Sequence, residues 1–193
     1  MFDAMIETPI LRDATRNDVP AITTIYADAV RNGTASFELD APDEAEMAAR
    51  MAALVDKGYP YIAATDGAGT LLGYAYAGSY RARPAYRWTV EDSVYIAPDA
   101  MGRGVGRILL TEIIARCEAL GFRQMVAVIG GADHAASIRL HERLGFAHAG
   151  LLPATGFKHG RWLDSVLMQR PLGAGSGTAP DPGTYPGTLY PAR

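Results

Sequence analysis

Cys117 is the only cysteine among the 193 residues. No disulfide can close within such a chain, so a reducing compartment, the cytoplasm, is expected. Also lacking is any run of about 18 apolar residues, the length a helix needs to cross a bilayer, so no membrane partner is expected. The first thirteen residues contain acids and Pro9 in place of a basic start and an apolar stretch, and no secretion signal is expected either. Charge of one sign is not in excess, since 18 Lys+Arg face 21 Asp+Glu for a net of −3. Binding to nucleic acid calls for a clustered basic surplus, and that class is set aside.

The chain does carry the makings of one globular domain: 49% of its residues are hydrophobic and 20% charged. Residues 10–172 form that domain by this reading. Residues 173–193 hold five Gly and four Pro with almost no aliphatic side chains. Such a segment buries too little to offset the entropy of ordering, and a flexible tail is expected. Docking on a neighbouring subunit through Tyr185, Leu189 and Tyr190 is the alternative. No internal repeat is found.

Strand-like and helix-like segments alternate through the domain. Ile10 and Leu11 suggest a first strand. Thr15 and Asp18 have the spacing of an acidic capping box, followed by Val19, Ile22, Ile25, Tyr26 and Ala29 at helical intervals. A second helix over 43–55 stops before Gly58. Residues 61–65 and 71–77 read as strands joined by Asp66-Gly67-Ala68-Gly69, and 88–97 as another. From 106 to 120 the pattern is amphipathic, and Cys117 lies in its apolar stripe, so a packed core thiol is expected rather than a nucleophile. A short apolar strand at 124–129, a helix at 135–144 and late strands at 149–152 and 166–169 complete a mixed α/β (α+β) domain with a central sheet.

The segment Tyr95-Ile96-Ala97-Pro98-Asp99-Ala100-Met101-Gly102-Arg103-Gly104-Val105-Gly106-Arg107 carries the most chemistry. A strand ends, a glycine-rich turn follows, and an amphipathic helix begins. Glycines let a ligand approach the backbone, and the free N–H groups and dipole of a helix start favour phosphate. Arg103 and Arg107 add charge-assisted contacts. Position 107 is Arg where a dinucleotide fingerprint needs its third glycine, which argues against a dinucleotide-dependent oxidoreductase. The Gly-Lys-Ser/Thr of a nucleotide-triphosphate loop is absent as well.

Two further sites stand out. In a strand of period two, Thr89, Glu91, Ser93 and Tyr95 share one face, while Trp88, Val90, Asp92, Val94 and Ile96 share the more apolar other. Glu91 is thus turned from the expected core, just upstream of the glycine loop. Residues 80–87, Tyr-Arg-Ala-Arg-Pro-Ala-Tyr-Arg, are either a solvated loop or a grip for carboxylate or phosphinate groups, which arginine's planar fork fits.

The glycine loop resembles the pyrophosphate loop of the GNAT acetyltransferase superfamily, Gln/Arg-x-x-Gly-x-Gly/Ala, with Gly104 and Gly106 at its glycines and Met101 departing from its first position. Residues 136–146, ending in Gly145-Phe146, resemble that family's fourth-helix motif, with His134 in place of its usual Asn. Trp88-Thr89-Val90-Glu91, Val126-Ala127-Val128-Ile129-Gly130, Arg139-Leu140-His141-Glu142 and Phe157-Lys158-His159-Gly160-Arg161-Trp162 look like the phosphinothricin acetyltransferase branch.

The resemblance spans about 10–172 and implies a mixed, twisted sheet with flanking helices, opened so that acetyl-CoA enters between two parallel strands. It implies Glu91 as general base and His141 as proton donor or relay near the CoA sulfur. Acetyl-CoA contacts would come from Val94, Tyr95, Ile96, Gly102, Arg103, Gly104, Val105, Gly106, Arg107, His134 and Arg143. The acceptor would be a small glutamate-like amino acid held by Arg81, Arg83 and Tyr86, with Phe37 closing over it. A homodimer with Trp162 at the contact is also implied. No metal is expected, because no His pair shows ligand spacing with acids. Two rivals remain: an acetyltransferase for protein N-termini or another small amine, and a non-catalytic CoA-binding module.

Overall fold

Leu11 and the residues beside it form the first strand, β1 (Ile10–Asp13), at the edge of a mixed sheet in the computed structural model, which describes residues 8–131 and 134–190. Asp18 then starts the first helix. Its carboxylate takes both guanidinium nitrogens of Arg12 at 2.7 and 2.6 Å and the Thr15 N–H at 2.7 Å. Helix α1 (Val19–Asn32) follows, and α2 (Glu44–Val55) is capped by Asp43, whose side chain accepts the Glu46 N–H.

Strands β2 (Tyr61–Thr65), β3 (Leu71–Ser79) and β4 (Thr89–Ile96) follow, and β1 to β4 pair antiparallel in succession. Next come α3 (Val105–Ala119), β5 (Gln124–Gly130), α4 (Ala135–Arg143), β6 (Ala147–Lys158) and β7 (Arg161–Pro171). The sheet order is β1-β2-β3-β4-β5-β7-β6, with β4 and β5 its one parallel pair. The mixed α/β sheet with flanking helices is the expected fold class. Among the described residues no helix is long and apolar enough to cross a membrane.

Period two sorts β4 between two layers. Val90 is fully buried and Asp92 nearly so, on the face covered by α3, where Cys117 sits at 0% exposure in the core. The other face carries Glu91, Ser93 and Tyr95, with Gly78, Tyr76 and Tyr74 opposite them on β3. Tyr74 stacks on Tyr95 at 5.3 Å, and Tyr26 of α1 meets Tyr95 edge-on at 5.0 Å. A row of aromatic rings therefore floors the sheet beside Glu91.

Two expectations need correction. The late strands are much longer than 149–152 and 166–169. Nearly all of β6 is exposed, so it shows no alternation of apolar and polar positions to read, and its pairing with β7 alone defines it. The tail also differs from the flexible segment its composition suggested. Tyr185 meets Phe122 edge-on at 5.6 Å and its hydroxyl donates to the Lys57 carbonyl at 3.0 Å. Arg87 donates to the Gly187 and Tyr190 carbonyls at 2.7 and 3.0 Å, and Arg123 to the Gly175 carbonyl at 3.3 Å. One aromatic anchor and two domain arginines hold what aliphatic content would not. Residues 191–193 lie outside the described part.

Candidate active site

The parallel strands part early. Thr89, Val90 and Glu91 of β4 pair with Gln124, Met125 and Val126 of β5, and no pair follows, although both strands run on. A cavity of about 780 Å³ opens in the gap, bounded by the end of β4, the start of α3, β5 and α4. Backbone groups of β4 beyond Glu91 that point toward β5 thereby face the cavity.

Gly102 and Gly104 both have positive φ, +75° and +82°, which only glycine adopts without strain. Gly104 caps α3, and a Cβ built there would meet no atom within 4 Å, so its backbone stands open to the cavity. Gly106 lies against α4, where a Cβ would touch Leu140 at 3.4 Å. Arg107, Arg139 and Arg143 also line the cavity and form a cationic rim around the helix start. Open amides, a helix dipole and three guanidinium groups suit a pyrophosphate. His134 lines the cavity too, and its Nδ1 is buried without a hydrogen bond among the described residues. Of the residues expected to contact acetyl-CoA, all but the exposed Arg103 line this space.

Glu91 lies in the same cavity, half-buried. Burial chiefly, and the neighbouring Asp92 charge next, push its carboxyl up to about 7, while Arg81 pulls the other way. A carboxylate that titrates near neutrality is suited to accept a proton from an ammonium ion.

His141 is differently placed from a free proton relay. Its ring lines the cavity but is only 4% exposed, with Nδ1 2.8 Å from the Ser137 carbonyl oxygen and Nε2 3.0 Å from Asp92 Oδ2. Both nitrogens are engaged, and its proton affinity is raised. Burial alone would lower it, and the hydrogen bond and charge of Asp92 outweigh that.

The expected acceptor residues do not line the cavity itself. Arg81, Arg83 and Tyr86 are exposed on the β3–β4 loop, which leads into β4 two residues before Glu91. Phe37 packs where a Cβ on Gly130 or Gly156 would fall 2.6 or 2.5 Å from its ring, so both glycines make room for it. The loop bearing Phe37 is tied down by the Lys158 ammonium on the Ser36 carbonyl at 2.6 Å and by Thr34 Oγ1 on the Gly130 carbonyl at 3.1 Å.

A cradle at a helix start beside a carboxylate tuned to neutrality fits acyl transfer from a CoA thioester to an amine. The Acetyltransferase (GNAT) domain family matches residues 11–167. The chain belongs to this family. It is 57% identical to the phosphinothricin N-acetyltransferase of Alcaligenes faecalis over 89% of this chain and 85% of that protein. With the L-methionine sulfoximine/L-methionine sulfone acetyltransferase of Pseudomonas paraeruginosa it shares 46% identity over 82% of this chain and 92% of that one. Its fold matches a phosphinothricin acetyltransferase of Sinorhizobium meliloti, solved in complex with AcCoA, with a TM-score of 0.93 and 55% identity. That match covers 96% of this chain and 100% of that one.

Sequence reading missed several parts of this GNAT site. Arg139 sits in a quoted motif, yet its direction toward the cavity depends on where α4 packs. Asp92 was assigned to the core face, which is correct, but its contact with His141 spans 49 residues and has no local signature. Gly33, Thr34 and Ala35 line the far wall through a loop that carries no motif.

Proposed function

We propose that this GNAT enzyme transfers the acetyl group of acetyl-CoA to the α-amine of a small glutamate-like amino acid of the phosphinothricin or methionine sulfoximine type. The observation that carries this reading is Glu91, tuned to about 7, in the same cavity as the open Gly104 cradle. The cradle and the rim of Arg107, Arg139 and Arg143 hold the CoA phosphates. Glu91 takes a proton from the substrate ammonium, directly or through water, and the freed amine attacks the acetyl carbonyl carbon. Charge gathers on the carbonyl oxygen, where a backbone N–H of residues 94–96 receives it. The attacking nitrogen then gives up its extra proton, the carbon–sulfur bond breaks, and CoA takes up a proton to leave as the thiol.

Arg81 and Arg83 would grip the acidic groups of the acceptor, and Arg81 already acts on the Glu91 charge. The names and high identities of the relatives support this acceptor class. A polycationic acceptor would be repelled by the same arginines. Phe37 would close over the amine.

The test is acetyl-CoA-dependent thiol release with phosphinothricin, methionine sulfoximine and their decarboxylated amines. Arg83→Ala should lower kcat/KM for the acidic acceptors by about ten- to a hundredfold, the loss of one charged hydrogen bond, with acetyl-CoA affinity unchanged. Equal loss for acidic and neutral amines would remove the glutamate-like acceptor.

The chain is further proposed to act in the cytoplasm as a homodimer. The exposed face of β6 and β7 supports pairing: Leu151, Phe157 and Trp162 are 53%, 56% and 65% exposed there.

A further inference from the structure

Asp92 is the first residue of β4 beyond its last pair with β5, at the vertex where the cleft opens. By the alternation of a strand its side chain turns away from Glu91, to the opposite face of the sheet. There it meets His141, and the two side chains are 2% and 5% exposed. His141 stands on α4, which follows β5 in the chain, so this bond joins the two arms of the cleft. The acetyl-transfer reading above gives Asp92 no task. Its Oδ1 has no hydrogen-bond partner among the described residues.

The hydrogen positions on the ring follow from its partners. The Ser137 carbonyl oxygen can only accept, so Nδ1 at 2.8 Å carries a hydrogen. Nε2 shares the other hydrogen with Asp92 Oδ2 at 3.0 Å, and against a carboxylate the ring holds both. No lone pair is left to accept a proton from substrate.

We propose that Asp92 is a positioning residue for acetyl transfer: it holds His141 in the doubly donating form, ties α4 to β4 at the cleft vertex, and keeps His141 from acting as base. This rests on the reading of Glu91 as the base. The raised proton affinity of His141 agrees with it. The groups facing the pair are Cys117 of α3, a buried thiol that stays protonated, and the ring of Phe146, 4.9 Å from His141. Glu91 looks to the other face toward Tyr76 of β3 and Arg81 of the loop.

The experiment follows His141 by NMR titration, its signal among the 4 histidines assigned by loss in His141→Gln, and measures the acetyl-CoA Kd by calorimetry. In the wild type His141 should stay protonated above the usual imidazole midpoint. Asp92→Asn keeps a hydrogen bond by donating its amide to a neutral Nε2, so the clamp survives while the charge is gone. There the His141 midpoint should fall by about 1 or more, with the Kd within roughly threefold of wild type. The acid limb of kcat/KM should move to lower pH, because Glu91 loses a like charge beside it. Asp92→Ala removes the clamp as well and should raise the Kd about tenfold or more.

A wild-type His141 with an ordinary midpoint would overturn the proposal, and so would an unshifted midpoint in Asp92→Asn. Should Asp92→Ala fail to fold, those titrations decide alone. Neither titration nor calorimetry uses an acceptor amine. Expected values there, with no transfer to glutamate-like amines, would sink the acceptor reading only.

Discussion

Glu91, the proposed base, has at the scale of single residues an environment that makes predictions in two directions. As a base it works only when ionised, so kcat/KM should fall about tenfold per pH unit below the midpoint near 7 and level off above it. Arg81 holds that midpoint down, so Arg81→Ala should move the limb to higher pH. An unmoved limb, read from the kcat/KM profile, would separate the loop from the base. For stability the sign is reversed. A carboxyl whose proton affinity is raised on folding contributes stability below its unfolded value, and that contribution is lost as pH rises through about 7. Glu91→Gln should therefore lower turnover by about a hundredfold and yet melt higher than wild type at pH ~8. Alternation along one strand was enough to place Glu91 opposite the core. The state of His141 was not legible in that way, because its partner comes from a distant strand and only packing of α4 brings them together.

Each local device at the scale of elements has its own measurable consequence. Gly104 caps α3 with a left-handed backbone and leaves open space where a side chain would stand. Gly104→Ala should cost about 1–2 kcal/mol of stability through that backbone alone. It should also weaken acetyl-CoA binding, because the new methyl faces the cradle; calorimetry showing an unchanged Kd would place the pyrophosphate elsewhere. At the start of α1, Asp18 is held down to about 2, first by its hydrogen bonds to Arg12. Its contribution is present above the unfolded value near 4 and fades as pH falls toward 2. Asp18→Ala should cost about 1–2 kcal/mol at neutral pH in thermal melts, and the gap from wild type should shrink in acid. Elements with strong periodicity and end signals, such as α1, α2 and α3, were legible from the chain. Strand β6 was legible only over 149–152, since a strand exposed along nearly its whole length has no apolar face to announce its extent.

At the scale of the whole molecule, the proposed acetyl-CoA site comes from the arrangement of these parts. One parallel pair splits after three residues, a helix start fills one side of the gap, and a half-buried carboxylate waits at its base. The tail adds a tie between Arg87, at the end of the arginine-rich loop, and the carbonyls of Gly187 and Tyr190. Composition concealed that tie, because two carbonyls and one tyrosine do work that a count of aliphatic residues does not register. The most direct test of the central claim is to incubate the protein with acetyl-CoA and phosphinothricin, following thiol release and product mass together. Saturable thiol release with a matching N-acetylated product, dependent on both substrates, is the result expected. Tight acetyl-CoA binding with no thiol released by any acidic amino acid, and release with peptide N-termini instead, would contradict it.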